Sequence, residues 1–313
     1  MSAVVVATDF GGPEVLSVID QPVPEPGAGE VRVAVRAVGV NPIDYKSYSG
    51  AFGKDPAQLP RRIGSEAAGV ISALGPDVGD FAVGDEVIAY RAPGAYAADL
   101  IVPIGALTPK PESVPWTQAS GLLLTGVTAV HTLVAADVGA GDTVLVHGAS
   151  GGVGLMVVQL AVARGATVIA TAGQAKHDLL RSLGAIPVTY GNGLLDRVRA
   201  AAPSGSDSID AAIDLVGTDE AIDVSLELVQ LPARIASIAA FGRGGDGIRL
   251  LGGGPGADPG DEIRQAARSV LVEAVAAGSL RVFVERTFPL DHAADAHRLL
   301  MTGHVTGKLA LTV

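Results

Sequence analysis

Eight consecutive residues, His147-Gly148-Ala149-Ser150-Gly151-Gly152-Val153-Gly154, carry the plainest chemical signal in the chain. Taken as Ala149-x-Gly151-x-x-Gly154, they match the fingerprint of a dinucleotide pyrophosphate loop with alanine in its first place. Gly151 lets backbone N–H groups approach a pyrophosphate closely, Gly154 lets the following helix lie tight against a sheet, and Ser150 can donate one more hydrogen bond. A helix beginning at Val153 follows, and its positive N-terminal end favours the anion. A glycine turn without a ligand is the plain alternative, and the strand and helix patterns on either side argue against it. Sites that prefer NAD place an acid about 20 residues further on, against the ribose 2′-hydroxyl. Here the second strand ends Ala170-Thr171-Ala172-Gly173, and the acid is missing. Lys176 follows, and Tyr190 closes the next strand; an ammonium and a phenol there attract the additional phosphate of NADP. The expected cofactor is therefore NADPH, bound around Ser150, Gly151, Gly152, Val153, Thr171, Gly173, Lys176 and Tyr190. Lys176 alone would pass for a solvated lysine at a helix start; the missing acid decides between the two readings.

Composition narrows the remaining chemistry. The 313-residue chain contains no cysteine, which removes disulfides, thiolate nucleophiles and every zinc site built on sulfur. A formal net charge of −11 argues against a nucleic-acid partner, whose phosphates need a basic footprint. Hydrophobic residues make up 48%, yet each long apolar stretch is broken before the ~18 residues that a membrane span requires. Met1 to Asp9 lack the basic stretch and cleavage pattern of a secretory signal, so a cytoplasmic protein is expected, with no membrane partner.

Two kinds of scaffold must position these groups, as roughly 100–200 residues per domain suggests for this length. The first hundred or so residues are β-rich: Glu30 to Val38 alternates polar and apolar side chains, and Gly75 to Ile88 looks like turns between short strands, which suits a compact barrel. From Trp116 the texture becomes strand-helix alternation. Thr143 to Val146, a helix from Val153 to Arg164, and Thr167 to Thr171 form a βαβ unit. Further strands are expected at Ala211 to Val216 and Arg234 to Ala239, giving a doubly wound parallel sheet. Beyond the Gly/Pro-rich stretch Leu251 to Gly260, taken as a surface loop, come a helix, a strand at Val282 to Val284, a short helix and a last strand at Lys308 to Leu311. The expected division is a catalytic domain of residues 1–115 and 258–313 and a dinucleotide-binding domain of residues 116–257.

Several segments together resemble the medium-chain dehydrogenase/reductase superfamily, in its zinc-independent, quinone oxidoreductase-like branch. They are Val38 to Lys46, Gly64-Ser65-Glu66-Ala67-Ala68-Gly69, Leu124 to Ala129, the glycine loop, Asp214-Leu215-Val216-Gly217 and Gly307 to Leu311. The resemblance implies an α/β fold: a GroES-like β-barrel catalytic domain plus a Rossmann cofactor domain. In the zinc-using relatives a metal-binding Cys stands where Asn41 is, a His stands where Ser65 is, and a four-cysteine lobe follows; this chain has none of these. His292, His297 and His304 fit no standard zinc spacing and are taken as surface residues. No metal is expected, and without a Lewis acid the alcohol dehydrogenase reaction is disfavoured. What remains is hydride delivery from the nicotinamide to a quinone or to the β-carbon of an enone.

The resemblance further implies that Asn41 lies near the nicotinamide ribose and that Thr125 and Thr128 line the nicotinamide pocket. It places Val216 with Gly217, and Ala240, Phe241 and Gly242, along the cofactor. It also offers Arg243 to phosphate or substrate and Lys308 to the nicotinamide side. Tyr45 is the candidate catalytic residue, since a phenol near pKa 10 is protonated at neutral pH and can stabilise a developing enolate. Asp44 and Glu66 are expected to hold backbone or cationic partners. Two other readings stay open: an enoyl-thioester reductase, and a dinucleotide binder without turnover, such as a crystallin-like or regulatory protein. A homodimer is expected by likeness, with Ile248 to Leu251 as its pairing edge.

Overall fold

A computed structural model describes residues 1–203 and 209–313 and divides into two compact units, one of residues 1–124 with 269–313, the other of residues 125–268. The first unit opens with β1 (Ser2–Ala7), β2 (Leu16–Gln21), β3 (Glu30–Val40), helix α1 (Pro42–Tyr48) and β4 (Arg61–Arg62). It continues with β5 (Glu66–Leu74), β6 (Glu86–Tyr90), β7 (Asp99–Pro103), β8 (Leu107–Pro109) and α2 (Trp116–Ala119). β3 shows why: polar and apolar side chains alternate as far as Arg36, so one face packs on Ile71, Val87 and Leu100. From Ala37 to Val40 every residue is buried.

The second unit carries α3 (Leu123–Ala135), whose first two residues belong to the first, then β9 (Thr143–His147), α4 (Gly152–Ala163), β10 (Thr167–Thr171), α5 (His177–Ser182) and β11 (Ile186–Val188). After them come α6 (Leu194–Ala201), β12 (Ala211–Asp214), α7 (Asp219–Leu228), β13 (Ile235–Ser237) and β14 (Arg249–Leu250). All pairings in this sheet are parallel, in the order β11-β10-β9-β12-β13-β14. Counted from β9 this is 3-2-1-4-5-6, the doubly wound order whose direction reverses between β9 and β12; open sheets of this kind receive ligands at the carboxyl ends of the strands that flank such a reversal. The glycine loop leaves β9 at that point.

The chain returns through α8 (Asp261–Ala276), β15 (Val284–Pro289), α9 (Ala293–Met301) and β16 (Lys308–Thr312). The last strand enters the first unit's main sheet, ordered β15-β16-β3-β5-β6-β8 with β7 also on β3. The expected fold class holds in both units. Three strands differ from expectation, the first being Ala211 to Val216, which ends at Asp214 because that carboxylate takes the N–H groups of Val216 and Gly217. Val282 is buried but unpaired, because β15 begins only where Lys308 faces Val284 across β16; the apolar pattern there marked burial, not pairing. The expected strand Arg234 to Ala239 shortens to Ile235–Ser237, because the Ser237 hydroxyl takes over the N–H groups of Ala239 and Ala240.

The unit boundaries also lie further along the chain than the expected 115/116 and 257/258. α2 packs on β3 and β5 of the first unit, while Asp258, Gly260 and Arg264 all close on His131 within the second.

Candidate functional site

In the second unit, the loop after β9 is shaped by backbone geometry. Gly148 has φ +72°, and a Cβ there would meet Val216 Cγ1 at 2.7 Å. A Cβ on Gly154 would lie 2.3 Å from the Gly148 carbonyl oxygen, so only glycine lets α4 start this close to the strand. Gly151 is the N-cap residue and no side chain caps α4, which leaves the first turn's N–H groups to an anion. The Thr171 hydroxyl accepts the Gly148 N–H at 3.3 Å, so this residue shapes the loop. His147 is buried, and burial lowers its pKa to about 4; the neutral ring meets Ser225 Oγ at 3.1 Å.

The neighbouring loops are held by one carboxylate. Asp214, fully buried at the end of β12, accepts the N–H groups of Val216 (3.1 Å) and Gly217 (3.0 Å) and the Ser237 hydroxyl (2.6 Å). Ser237 in turn accepts from Ala240 N at 2.9 Å. Val216, Gly217 and Ala240 are thus set by a single Asp–Ser pair, with Phe241 and Gly242 following exposed. Arg243 does not offer its guanidinium to a ligand: its donors go to Asp219 (2.9 Å), Asp223 (2.7 Å) and Asp246 (2.6 Å).

Beyond β10, Gly173 leads into a turn ending at Lys176, whose ammonium has no partner among the described residues. Thr125 and Thr128 are buried on α3, and Thr128 Oγ1 accepts from Arg264 at 3.3 Å. The same arginine donates to His131 Nδ1, which leaves Nε2–H to donate to Asp258.

In the first unit, strand register gathers groups far apart in sequence. β16 pairs with β3 so that Leu309 faces Val40, and β3 pairs with β5 so that Val38 faces Ala67. Lys308, Asn41 and Glu66 therefore meet at one end of three adjacent strands, all of them buried. Lys308 Nζ donates to Glu66 Oε1 (3.1 Å), the Val40 carbonyl (3.0 Å) and Asn41 Oδ1, and these use its three hydrogens. Asn41 Nδ2 donates to Glu66 Oε1 at 3.0 Å, and the second Glu66 oxygen accepts the Leu124 N–H at 2.9 Å. Gly39 makes the room, since a Cβ there would lie 2.4 Å from Glu66 Oε1.

Asn41 also starts α1, and Asp44 accepts its N–H at 2.9 Å and the Ser65 hydroxyl at 2.8 Å. Burial raises the Asp44 carboxyl to about 6 against these favourable bonds. Tyr96 donates to Asp44 at 3.1 Å, so its oxygen is left to accept from His297 Nε2 at 2.9 Å. His297 Nδ1 then accepts from Tyr48 at 2.6 Å. His297 is thus not at the surface as expected but fully buried. Its neighbours Ala293 and Ala296 are buried on the same face of α9, whereas His292 and His304 are exposed. The i, i+3, i+4 spacing of this face was the signal that would have placed it. Tyr45, one turn short of Tyr48, is half-buried with its hydroxyl unpartnered among the described residues, and burial raises its pKa above 10.

Two family models match the chain. The family model described as "Alcohol dehydrogenase GroES-like domain" matches residues 27–137, and that described as "Zinc-binding dehydrogenase" matches residues 183–311. The quinone oxidoreductase of Mus musculus is 32% identical over 97% of this chain and 95% of its own length. Among solved structures, a mycobacterial protein complexed with NADPH is 31% identical with a TM-score of 0.86, covering 99% of this chain and 100% of that one. The Escherichia coli quinone oxidoreductase complexed with NADPH is 26% identical, also with a TM-score of 0.86 and the same coverage of both chains.

Lys308→Met should destabilise the protein by roughly 3–5 kcal/mol in denaturant unfolding, because Glu66 is left buried without its cation; a loss below about 1 kcal/mol would show that the pair does not hold the strands. His297 stays neutral in the fold, its pKa lowered by burial to about 4 from an ordinary 6.5. Between these values the unfolded chain binds the extra proton, so this histidine contributes stability that is complete above pH 6.5 and fades toward pH 4. Asp44 works in the opposite sense from 3.8 to about 6 and is present in both proteins compared. The gap in melting temperature between the native chain and His297→Gln should therefore widen from pH 4.5 to 6.5, the window set by that shift. A gap independent of pH would contradict a neutral His297.

Proposed function

This chain belongs to the medium-chain dehydrogenase/reductase superfamily, in its quinone oxidoreductase-like branch, and is an oxidoreductase; from that premise we propose that it is an NADPH-dependent, metal-free reductase of quinones or α,β-unsaturated carbonyl compounds. The observation that carries this reading is the glycine loop at the switch point of the sheet, followed by a strand end without an acid and by an unpartnered Lys176. The loop from Ser150 to Val153 would hold the pyrophosphate, Lys176 and Tyr190 the 2′-phosphate, and Val216, Gly217 and Ala240 to Gly242 the flank of the dinucleotide. We assign Asn41, Thr125 and Thr128 to its nicotinamide end. NADPH, when bound, supplies a hydride to an electron-poor carbon.

The residues of this chain do the rest. Lys308 and Glu66 act on Asn41, whose amide they orient by a shared set of hydrogen bonds. Asn41, so held, presents a fixed surface, because both ends of its amide are engaged and it cannot turn. Tyr45 keeps its proton at neutral pH and has its hydroxyl free to donate to a carbonyl oxygen that gains charge. With no cysteine, and no group of three or more metal-binding side chains among the described residues, the polarising donor we assign is this phenol.

Titration with NADPH followed by a panel of quinones, enones and enoyl-CoA esters tests the reading. Oxidation of NADPH by quinones or enones, unchanged by chelator, is expected. Tight binding with no turnover would leave a dinucleotide-binding protein, and preference for the CoA esters would move the acceptor to thioesters. Tyr45→Phe should lower enone reduction by about tenfold or more while sparing quinones, because only the enone passes through an enolate that needs a proton; equal losses would make Tyr45 positional.

A further inference from the structure

Arg197 is a cation that the functional reading leaves unused, and its guanidinium has an unusual task. From α6 it donates to three carbonyls of one short segment: Nε to Thr189 at 2.8 Å, Nη2 to Gly191 at 2.7 Å and Nη1 to Asn192 at 2.8 Å. On the other side of the same segment, Glu220 accepts the Gly191 N–H at 3.0 Å. Gly191 and Gly193, with φ of +91° and +81°, permit the tight path that turns these carbonyls toward one side chain.

Tyr190 lies inside this clamped segment. It is 53% exposed, and its hydroxyl has no partner among the described residues. No hydrogen bond of its own places the hydroxyl, so its position follows the path of its backbone. Register gives that place a meaning. β10 and β11 are parallel with Thr171 beside Val188, so two residues on, Gly173 and Tyr190 leave neighbouring strand ends at the same edge of the sheet. Lys176 ends the turn that begins at Gly173.

We infer that Arg197 is a positioning residue for cofactor discrimination: by tying down the backbone on both sides of Tyr190 it holds the phenol where it and the Lys176 ammonium engage one 2′-phosphate. The inference rests on the 2′-phosphate reading above. Arg197 touches no cofactor. Its planar fork is what the task requires, because a lysine is a single point charge and cannot hold three carbonyls in fixed directions.

The test is fluorescence titration of NADPH and NADH into the native chain and into Lys176→Ala, Tyr190→Phe, Arg197→Ala, Arg197→Lys and the Arg197→Ala/Tyr190→Phe pair. Arg197→Ala should weaken NADPH by about tenfold, the scale of one charge-assisted hydrogen bond, and leave NADH within about twofold. Arg197→Lys should fall between, and in the Tyr190→Phe background the arginine change should cost NADPH less than about twofold, since its effect passes through the phenol. A native chain that binds both nucleotides equally, with Lys176→Ala weakening neither selectively, would overturn the 2′-phosphate site and the inference with it. A native chain that prefers NADPH through Lys176, with either arginine variant keeping that preference or losing both nucleotides alike, would overturn the role of Arg197 alone.

Discussion

The first unit is organised around a carboxylate that has no access to water. Glu66 is fully buried, and each of its oxygens is committed: one to the Lys308 ammonium and the Asn41 amide, the other to the Leu124 N–H. Charges of this kind are costly to bury, and they persist only when the geometry is complete. Completeness here requires β16, β3 and β5 to be adjacent and in register, because a shift of one residue would send Lys308 or Glu66 to the opposite face. The glycine at position 39 and the late return of the chain as β16 are both explained by this demand.

From Asn41 the polar interior continues as a directed chain of hydrogen bonds. Tyr48 donates to His297, His297 to Tyr96, and Tyr96 to Asp44, which in turn accepts the backbone N–H of Asn41. Each donor has one acceptor, so the tautomer of His297 is decided by the network around it. The consequence is a residue fixed from two sides, its backbone by Asp44 and its amide by Glu66 and Lys308. The second unit reaches a similar result with fewer groups: Asp214 and Ser237 link the two loops that follow β12 and β13.

Much of this was legible in the chain. The parallel sheet, the glycine loop and its helix, the missing acid after β10 and the absence of cysteine all follow from residues close together in sequence. The same local view misjudged Val282, whose apolar pattern marked burial without pairing, and His297, whose spacing on α9 placed it inside. Arg243 and Lys308, which the resemblance offered to a ligand, direct their donors to three carboxylates and to three oxygens of the first unit.

By itself the sequence determined what depends on local geometry: periodicity that selects strand or helix, and glycines that permit a positive φ or a close approach. Tertiary structure decided which polar groups meet. Lys308 stands 267 residues from Asn41 and 242 from Glu66, and no spacing rule reaches across such intervals. The partner of a buried charge is set by strand register, which is fixed only when every strand has found its neighbour. For that reason the glycine loop and its helix could be read in advance, and the buried network around Asn41 could not.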